Sequence, residues 1–161
     1  MSLERLKKYK TIPFLNIGTS SAADYARIGK STIFDLVLNA QVETNDFIED
    51  EMPTDDVTHY KPELAQELQC NKGDKAFDYL YNEMLSLPTG ETLKKELLIV
   101  FAGNIATEGA TEKFNAWKTK ATLILDHFDS VAEKIYFKFS INAIEKGTAA
   151  VANGQPTFTK V

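Results

Sequence analysis

Apolar and polar residues alternate along much of this chain, and the alternation predicts several β-strands. It is clearest over residues 32–48, 113–126 and 134–144. A period of two residues is typical of strands that bury one face. The first segment is long for a single strand, so we expect a bulge or a bend within it. Residues 127–133 would form the turn that joins the other two segments as a hairpin.

A second periodicity, of three to four residues, predicts one α-helix over residues 74–87. Its apolar face comprises Phe77, Leu80, Tyr81, Met84 and Leu85. Asp74 can cap the amino end, and Pro88 and Gly90 would stop the helix.

The segment ELAQELQ at residues 63–69 fits two structures. Its composition favours a helix, with Leu64 and Leu68 four residues apart, but its apolar and polar residues also alternate. The neighbouring segments have the pattern of strands, so we predict a strand here too. Residues 93–101 form an apolar run that is typical of a central strand.

The remaining segments predict connections and edges. Residues 1–32 would form an arm lying across a surface, with a weak helical signal at residues 3–10. Residues 46–58 predict a long acidic loop, and residues 102–111 predict a turn that contains glycine.

The carboxyl-terminal residues 147–161 would add one or two short strands around Asn153-Gly154, a dipeptide common in hairpin turns. Neither a repeat nor a linker interrupts the pattern. Residues 1–161 are therefore predicted to form a single, mainly β domain. Its architecture would be a β-sandwich or a partly closed barrel with one flanking α-helix.

Composition and charge argue against several classes of protein and of binding site. The net charge of −5 and the pI near 5.1 argue against a protein that grips nucleic acid through clustered lysines and arginines. A single cysteine, Cys70, allows neither an intrachain disulfide nor a cysteine-based zinc site. The sequence has no secretory signal and no apolar stretch of transmembrane length.

The sequence offers no catalytic constellation. Its two histidines, His59 and His127, fit solvated positions at a strand end and in a turn better than a catalytic role. The glycine spacings of phosphate-binding loops and of the G-x-S-x-G nucleophile elbow are missing from the sequence. We therefore predict a protein that is not an enzyme and that needs no cofactor.

The acidic loop is the one cluster of potential ligands. Its carboxylates belong to Asp46, Glu49, Asp50, Glu51, Asp55 and Asp56. Carboxylates can hold a hard cation such as calcium, but the spacing lacks the glycine turn of a calcium loop. A solvated loop is the simplest interpretation, and docking on a basic patch of another subunit is a third.

Long strands also create unpaired sheet edges, which invite pairing with another chain. In an assembling protein, the edges of identical subunits can join in a closed ring through heterologous contacts. A mildly acidic wall would then let DNA pass without adhering to it.

Three phrases carry a resemblance that covers most of the chain. They are TIPFLNIG at residues 11–18, IEDEMPTDDVTHYKPELAQELQCNKGDKAFDYLYNEM at residues 48–84, and GTAAVANGQPTFT at residues 147–159. Together they resemble the major tail tube proteins of long-tailed phages or prophages that infect Gram-positive bacteria.

The resemblance implies a fold similar to the type VI secretion tube subunit and a structural role in a virion assembled from protein made in the bacterial cytoplasm. Proteins of this family form hexameric rings that stack on a tape measure protein, and DNA later passes through the lumen. The implied partners are copies of the chain and other tail proteins, with double-stranded DNA only in transit and no membrane.

The resemblance also suggests two assembly surfaces. The six carboxylates of the acidic loop would bridge stacked rings. The inner barrel would be built by the strands around Leu36, Leu38, Ala40, Val42, Trp117, Ala121, Leu123 and Leu125.

Two other functions stay open at this stage. One is a monomeric β-sandwich binding module for calcium or a carbohydrate, and calcium bound to the native state would then raise its melting temperature. The other is a tail connector or terminator, which would form a single ring and would not stack.

Overall fold

The computed structural model describes residues 3, 5–6, 10–19, 21–31, 33–107, 113–152 and 155–161, with the backbone alone for residues 104–107. Within these ranges the chain forms ten β-strands and one α-helix. In chain order they are β1 (Thr11–Asn16), β2 (Tyr25–Arg27), β3 (Phe34–Val37), β4 (Ala40–Asn45), β5 (Thr54–Tyr60), β6 (Glu63–Gln69), α1 (Lys75–Ser86), β7 (Lys94–Thr107), β8 (Lys113–Asp129), β9 (Lys134–Ala152) and β10 (Gln155–Lys160). The prediction of a mainly β fold with one flanking helix is confirmed.

Eight strands form one antiparallel sheet. Seven of them follow the order β2-β1-β7-β8-β9-β6-β3, and β10 pairs with β9 beside them. β8 and β9 are 17 and 19 residues long, and the register between them shifts after Lys120. β6 pairs with the amino-terminal half of β9, and β10 pairs with its carboxyl-terminal half. The two long strands therefore carry two lobes of the sheet, one on each side of the shift.

The sheet curls but does not close into a barrel. Its edge strands β2 and β10 approach one another, and the Gln155 side chain connects them. Gln155 Oε1 accepts a hydrogen bond from Tyr25 N–H at 3.1 Å, and Gln155 Nε2 donates one to the Tyr25 carbonyl at 3.0 Å. Within the described residues no backbone ladder joins these two strands, so the sheet stays open.

Apolar side chains pack on both faces of the sheet. One cluster lies between α1 and the sheet and includes Leu64, Leu80, Leu97, Leu123 and Phe139. The other lies on the opposite face and is formed by Phe14, Tyr25, Leu98, Val100, Ala116 and Ala149. Burial on both faces explains why β7 is apolar without alternating, and it confirms the predicted central strand.

The helix α1 matches the predicted segment. The Asp74 carboxylate accepts a hydrogen bond from Ala76 N–H at 3.3 Å, and Leu87 ends the helix with a left-handed φ of 48°. The predicted apolar face is wrong at Leu85, which is 62 % exposed. Leu85 follows Leu80 by five residues, so it lies about 140° around the helix from that buried side chain.

The predicted N-terminal arm is part of the sheet from β1 onward. β1 pairs with β7, and Phe14 is 1 % exposed. Pro13 hides this strand in the sequence, because proline is rare inside sheets. The Pro13 carbonyl accepts a hydrogen bond from Ile28 N–H, and Ile28 lies just beyond the end of β2. The Pro13 nitrogen faces the same side as this carbonyl, where no backbone ladder needs its N–H. Half of the residues of the helical signal at residues 3–10 lie outside the described residues.

The alternating segments form strands, with changed bounds. Residues 32–48 contain two strands, β3 and β4, separated by the expected bend, and residues 63–69 form strand β6 as predicted. β8 extends to Asp129, so the turn of the predicted β8–β9 hairpin is shorter than residues 127–133.

The predicted turn over residues 102–111 is wrong in its first part. β7 continues to Thr107 with two register shifts, and residues 108–112 lie outside the described part of the chain. β9 runs on to Ala152 and pairs with β10, as expected for a terminal hairpin. Asn153-Gly154, the predicted turn, also lies outside the described residues.

Gln66 is a polar residue in an apolar layer. It lies in β6 between Leu64 and Leu68, on the same face, and is 3 % exposed. No described residue supplies a hydrogen bond to its Oε1. Burying an amide oxygen without a partner lowers the stability of the folded state.

We therefore expect Gln66→Met to raise the free energy of unfolding by about 1 kcal/mol, because methionine has a similar length and no amide to desolvate. Urea denaturation at neutral pH would measure the change. The matched control is Gln69→Met on the exposed side of β6, expected within about 0.5 kcal/mol of the wild type. A loss of stability confined to Gln66→Met would contradict the prediction.

Candidate assembly surfaces

β4 and β5 form a two-stranded hairpin that is separate from the main sheet. The hairpin continues the ribbon of β3 and β6 across a bend at Asn39 and Lys61. Asn39 adopts a left-handed φ of 48°, and its carbonyl accepts a hydrogen bond from Lys61 N–H at 3.4 Å. Within the described chain, β4 and β5 pack substantially only on each other. Their outward side chains are therefore left for solvent or for a partner.

The hairpin concentrates negative charge. Residues 40–60 contain seven acidic residues and neither lysine nor arginine, so the rest of the chain contributes +2 to the net charge of −5. Glu43 lies directly opposite Asp56 in the ladder. Like charges in this position destabilise a strand pair. Asn45 Nδ2 donates a hydrogen bond to an Asp56 oxygen at 3.2 Å, which offsets part of the repulsion.

One face of the hairpin is apolar and exposed. Val42 and Val57 are cross-strand neighbours that are 56 % and 52 % exposed, and Tyr60 on the same face is 58 % exposed. At the tip of the hairpin, Phe47 and Met52 are also exposed. Exposed apolar side chains rimmed by charge are typical of an interaction site.

The six carboxylates of the predicted stacking loop are divided between two elements. Four lie in the connection over residues 46–53, namely Asp46, Glu49, Asp50 and Glu51, and two lie in β5, namely Asp55 and Asp56. The predicted loop of residues 46–58 is therefore corrected to residues 46–53, because Thr54–Tyr60 pairs with β4. Across the described ranges, no group of three or more histidine, cysteine or acidic side chains is arranged to bind a metal ion.

β3 is the edge strand of the main sheet at the end opposite to β2. In the described structure it pairs with β6 on one side and with nothing on the other. Ile33, Phe34 and Val37 are 41 %, 37 % and 42 % exposed along this edge. The strand has neither the lysine nor the proline with which many proteins prevent edge pairing. Its backbone can therefore accept a strand of another chain.

The inner-barrel residues predicted in β8 lie inside the protomer. Ala121 and Leu123 are 1 % and 0 % exposed, and Leu125 is half-buried against the same cluster. Trp117 is half-buried and packs edge-on against Phe101, with the ring centroids 5.0 Å apart. These four side chains belong to the core and its border.

The other four predicted inner-barrel residues lie in β3, in β4 and in the bend between these strands. Leu36 is half-buried against the core, whereas Leu38, Ala40 and Val42 are exposed at and beyond the bend. β6 and β9 lie between β3 and β8 in the sheet. Within one subunit, the structure therefore does not bring the two groups of predicted residues together.

A groove of about 1400 Å³ opens along β7, β8 and β9. Six lysines line it: Lys94, Lys95, Lys118, Lys120, Lys146 and Lys160. We call this surface the lysine groove. Sequence reasoning missed it, because its lysines come from four strands and share no motif. In the sequence alone these lysines resemble exposed residues on the solvated faces of strands.

The chain has the same overall fold as a chain of an extracellular contractile injection system. It aligns with a chain in the cryo-EM structure of an extracellular contractile injection system, the PVC sheath/tube terminator in the extended state. The TM-score is 0.52 at 11 % identity, and the alignment covers 91 % of this chain and 99 % of that chain. At this identity the likeness concerns the fold alone.

A chain of the anti-feeding prophage (AFP) baseplate gives a TM-score of 0.48 at 7 % identity, over 91 % of this chain and 97 % of that chain. No protein-family model matches the sequence, and no curated protein matches it. The first of the two structural matches is a chain from an extracellular contractile injection system. It gives no support to the narrower expectation of long-tailed phages of Gram-positive bacteria.

Both histidines are exposed on strands. His59 Nδ1 lies 3.1 Å from Thr58 Oγ1 in β5, and His127 stacks on Tyr136 with the ring centroids 4.2 Å apart. His127 thus lies in β8, which corrects its predicted place in a turn.

Burial raises the pKa of the half-buried Cys70 thiol. Among the described helices, none has the length and apolar character needed to span a membrane.

Proposed function

We propose that this chain is a structural subunit of a phage-like tail that closes into rings with copies of itself, and that the rings stack into a tube. The observation that carries the proposal is the acidic hairpin with an uncovered apolar face. The fold shared with a sheath/tube terminator supports the same proposal. Self-association would cover surfaces that the described protomer leaves in water.

Ring closure would use the open edge of β3. Backbone pairing between this edge and a neighbour is a heterologous contact, and repeating it about an axis closes a ring. Six subunits would form the ring. The strands β3, β4 and β8 would surround the lumen, and since Ala121 and Leu123 point into the core, alternate side chains such as Ile124 would face it. Ile124 is 38 % exposed.

Stacking would use the tip of the hairpin, including Asp46 and residues 49–51. The stacked rings would assemble on a tape measure protein and would hold double-stranded DNA only in transit. The chain would thus be made in a bacterial cytoplasm and end in a virion or a related particle.

A second candidate is a terminator that forms one ring at the end of a tube. The alignment with a chain from the sheath/tube terminator structure over 99 % of its length favours this candidate. The two candidates share ring closure and differ in stacking alone.

Negative-stain electron microscopy of the concentrated protein, with light scattering alongside, would test the proposal. Hollow tubes support the stacked subunit, and single rings support the terminator. A monomer at every concentration, whose melting temperature rises with calcium, would refute both in favour of a binding module.

A shortened hairpin separates stacking from folding. Asn45 and Thr54 are paired, so an Asn-Gly turn in place of residues 46–53 would join them in hairpin geometry. We expect this variant to remain folded by circular dichroism and to form single rings without tubes, because the tip is removed and the β3 edge is retained. Tubes of wild-type length from this variant would contradict the stacking role.

A further inference from the structure

The two ends of the main sheet differ in how their edges are satisfied. β3 has no partner on its outer side in the described structure. At the other end, the Asp24 carbonyl and the Ile28 N–H bond to backbone groups in β1 and next to it, at 2.8 Å and 3.1 Å. Backbone groups alternate in direction along a strand, so the N–H and carbonyl groups of Tyr25 and Arg27 point away from β1. β2 therefore has an outer edge of its own.

The Gln155 side chain at the start of β10 satisfies part of this edge. Its Oε1 accepts a hydrogen bond from Tyr25 N–H at 3.1 Å, and its Nε2 donates one to the Tyr25 carbonyl at 3.0 Å. Nε2 also lies 3.4 Å from Asp24 Oδ1. In an antiparallel ladder, the two residues of a hydrogen-bonded pair exchange the same two backbone bonds. The side-chain amide therefore takes the place that a strand residue of another chain would need.

The contact between β2 and β10, which we call the seam, depends on few bonds. Within the described residues, the Gln155 side chain supplies every hydrogen bond between these two strands. Gln155 is exposed, so water competes for its bonds. When the seam opens, β2 keeps its ladder with β1 and β10 keeps its ladder with β9. The seam can therefore open at a lower free energy than global unfolding requires.

We infer that Gln155 is a clasp that keeps the outer edge of β2 from pairing with another chain, and that opening of the seam releases this edge. An unpaired edge is a template for a further strand. With the clasp closed, β3 is left as the end of the sheet at which strands can be added. The resulting direction of association rests on the proposed function, whereas the closed seam rests on the geometry of Gln155 and Tyr25 alone.

Amide hydrogen exchange measured by NMR would report on the clasp residue by residue. The Tyr25 N–H is protected by Gln155, whereas the Ala26 N–H faces β1 and is protected by the ladder. In the wild type we expect the Tyr25 amide to exchange faster than the Ala26 amide, because the seam opens locally. In Gln155→Ala the Tyr25 amide should exchange about tenfold faster still, while the Ala26 amide should change by less than about threefold.

Two further variants separate hydrogen bonding from packing. Gln155→Met keeps the length of the side chain but has no amide, so it should accelerate exchange at Tyr25 as Gln155→Ala does. Thr157→Ala is the matched control, because Thr157 is exposed on the same strand, and exchange at Tyr25 should stay within about twofold of the wild type. Unchanged exchange at Tyr25 in Gln155→Ala would overturn the inference. Equal acceleration at Tyr25 and Ala26 would also overturn it, since β2 would then leave the sheet as a whole.

Light scattering would show whether the released edge pairs with another chain. We expect Gln155→Ala to associate at a protein concentration about tenfold lower than the wild type requires. Adding Arg27→Pro should return this concentration to the wild-type value. The reason is that the Arg27 N–H points outward, so proline removes a donor from the edge but no bond to β1. Circular dichroism would verify that each variant is folded.

The outcomes separate the clasp from the proposed function. Rings or tubes of the wild type seen by microscopy, with exchange at Tyr25 that Gln155→Ala leaves unchanged, would refute the clasp and leave the function standing. A monomeric wild type, with exchange and association that both respond to Gln155→Ala, would support the clasp and count against the function. Faster exchange at Tyr25 without any change in association would refute the role of Gln155 in blocking the edge.

Discussion

Gly147→Ala is expected to lower the free energy of unfolding by about 3 kcal/mol, because a methyl group has no space there. A Cβ at this position would overlap the Thr159 carbonyl oxygen and would lie 2.6 Å from Phe158 Cζ. Both atoms belong to β10, which pairs with β9 along this stretch. No rotamer change can move a backbone carbonyl, so β10 itself must shift.

Such a shift would reach the core. Phe158 packs against the cluster that holds Phe14, Leu98 and Ala149. Moving its ring away would expose part of that cluster to water, which adds to the loss of stability. The change would therefore be larger than the removal of one strand contact.

Chemical denaturation followed by circular dichroism would measure the effect of Gly147→Ala. The matched control is Gly29→Ala, where the nearest atom to a new Cβ is Arg27 Nε at 3.6 Å, an ordinary contact. We expect the control to stay within about 0.5 kcal/mol of the wild type. Equal stability of the two variants would show that β10 does not lie against Gly147 in solution.

Asn16→Ala is the second substitution for which we expect a large effect, about 3 kcal/mol, because one buried side chain serves several partners. Asn16 Oδ1 accepts hydrogen bonds from Gly18 N–H at 2.9 Å and from Asp24 N–H at 3.1 Å. Its Nδ2 donates to Glu96 Oε2 at 2.7 Å. Alanine would leave two backbone donors and one carboxylate without these partners.

Urea denaturation of Asn16→Ala beside Asn142→Ala would measure this effect. Asn142 also makes two side-chain hydrogen bonds, to Thr122 and to Lys61, but it is exposed. Water can replace bonds at an exposed site, so we expect Asn142→Ala to cost less than about 1 kcal/mol. Comparable losses in both variants would contradict the conclusion that buried Asn16 holds the connection between β1 and β2.

Asn16→Asp would separate two roles of this side chain, namely the acceptor of two N–H groups and the donor to Glu96. It retains the acceptor for both N–H groups but places a carboxylate against Glu96. Repulsion raises the pKa of the pair in the folded state, so the folded chain binds more protons than the unfolded one. We expect the stability of this variant to be lowest at neutral pH and to recover as the pH falls through that raised pKa. A pH profile parallel to the wild type would contradict this reading.

Local patterns predict the elements of this fold where the pattern is long. The helix from Lys75 to Ser86 follows from its cap and its apolar spacing, and β8 and β9 follow from alternation. The composition also predicts the acidity of the hairpin. It does not predict that β5 is a strand, because Thr54–Tyr60 is polar at most positions and forms a strand through its pairing with β4.

Other features depend on contacts between distant residues. β1 contains a proline and is short, and it is a strand because β7 supplies its ladder and its core contacts. The direction in which Ala121 and Leu123 point depends on the register shift after Lys120, which one strand alone does not reveal. Alternation shows that a strand has two faces, but not which face the core takes.

The sequence by itself determined that this chain is mainly β, has one helix and carries one strongly acidic segment, because these properties depend on nearby residues and on composition. Only the tertiary structure decided that the acidic segment projects as a hairpin with an apolar face. It also decided that lysines from four strands meet in one groove. The reason is that a surface is assembled from residues far apart in the chain, and strand order and register set their distances.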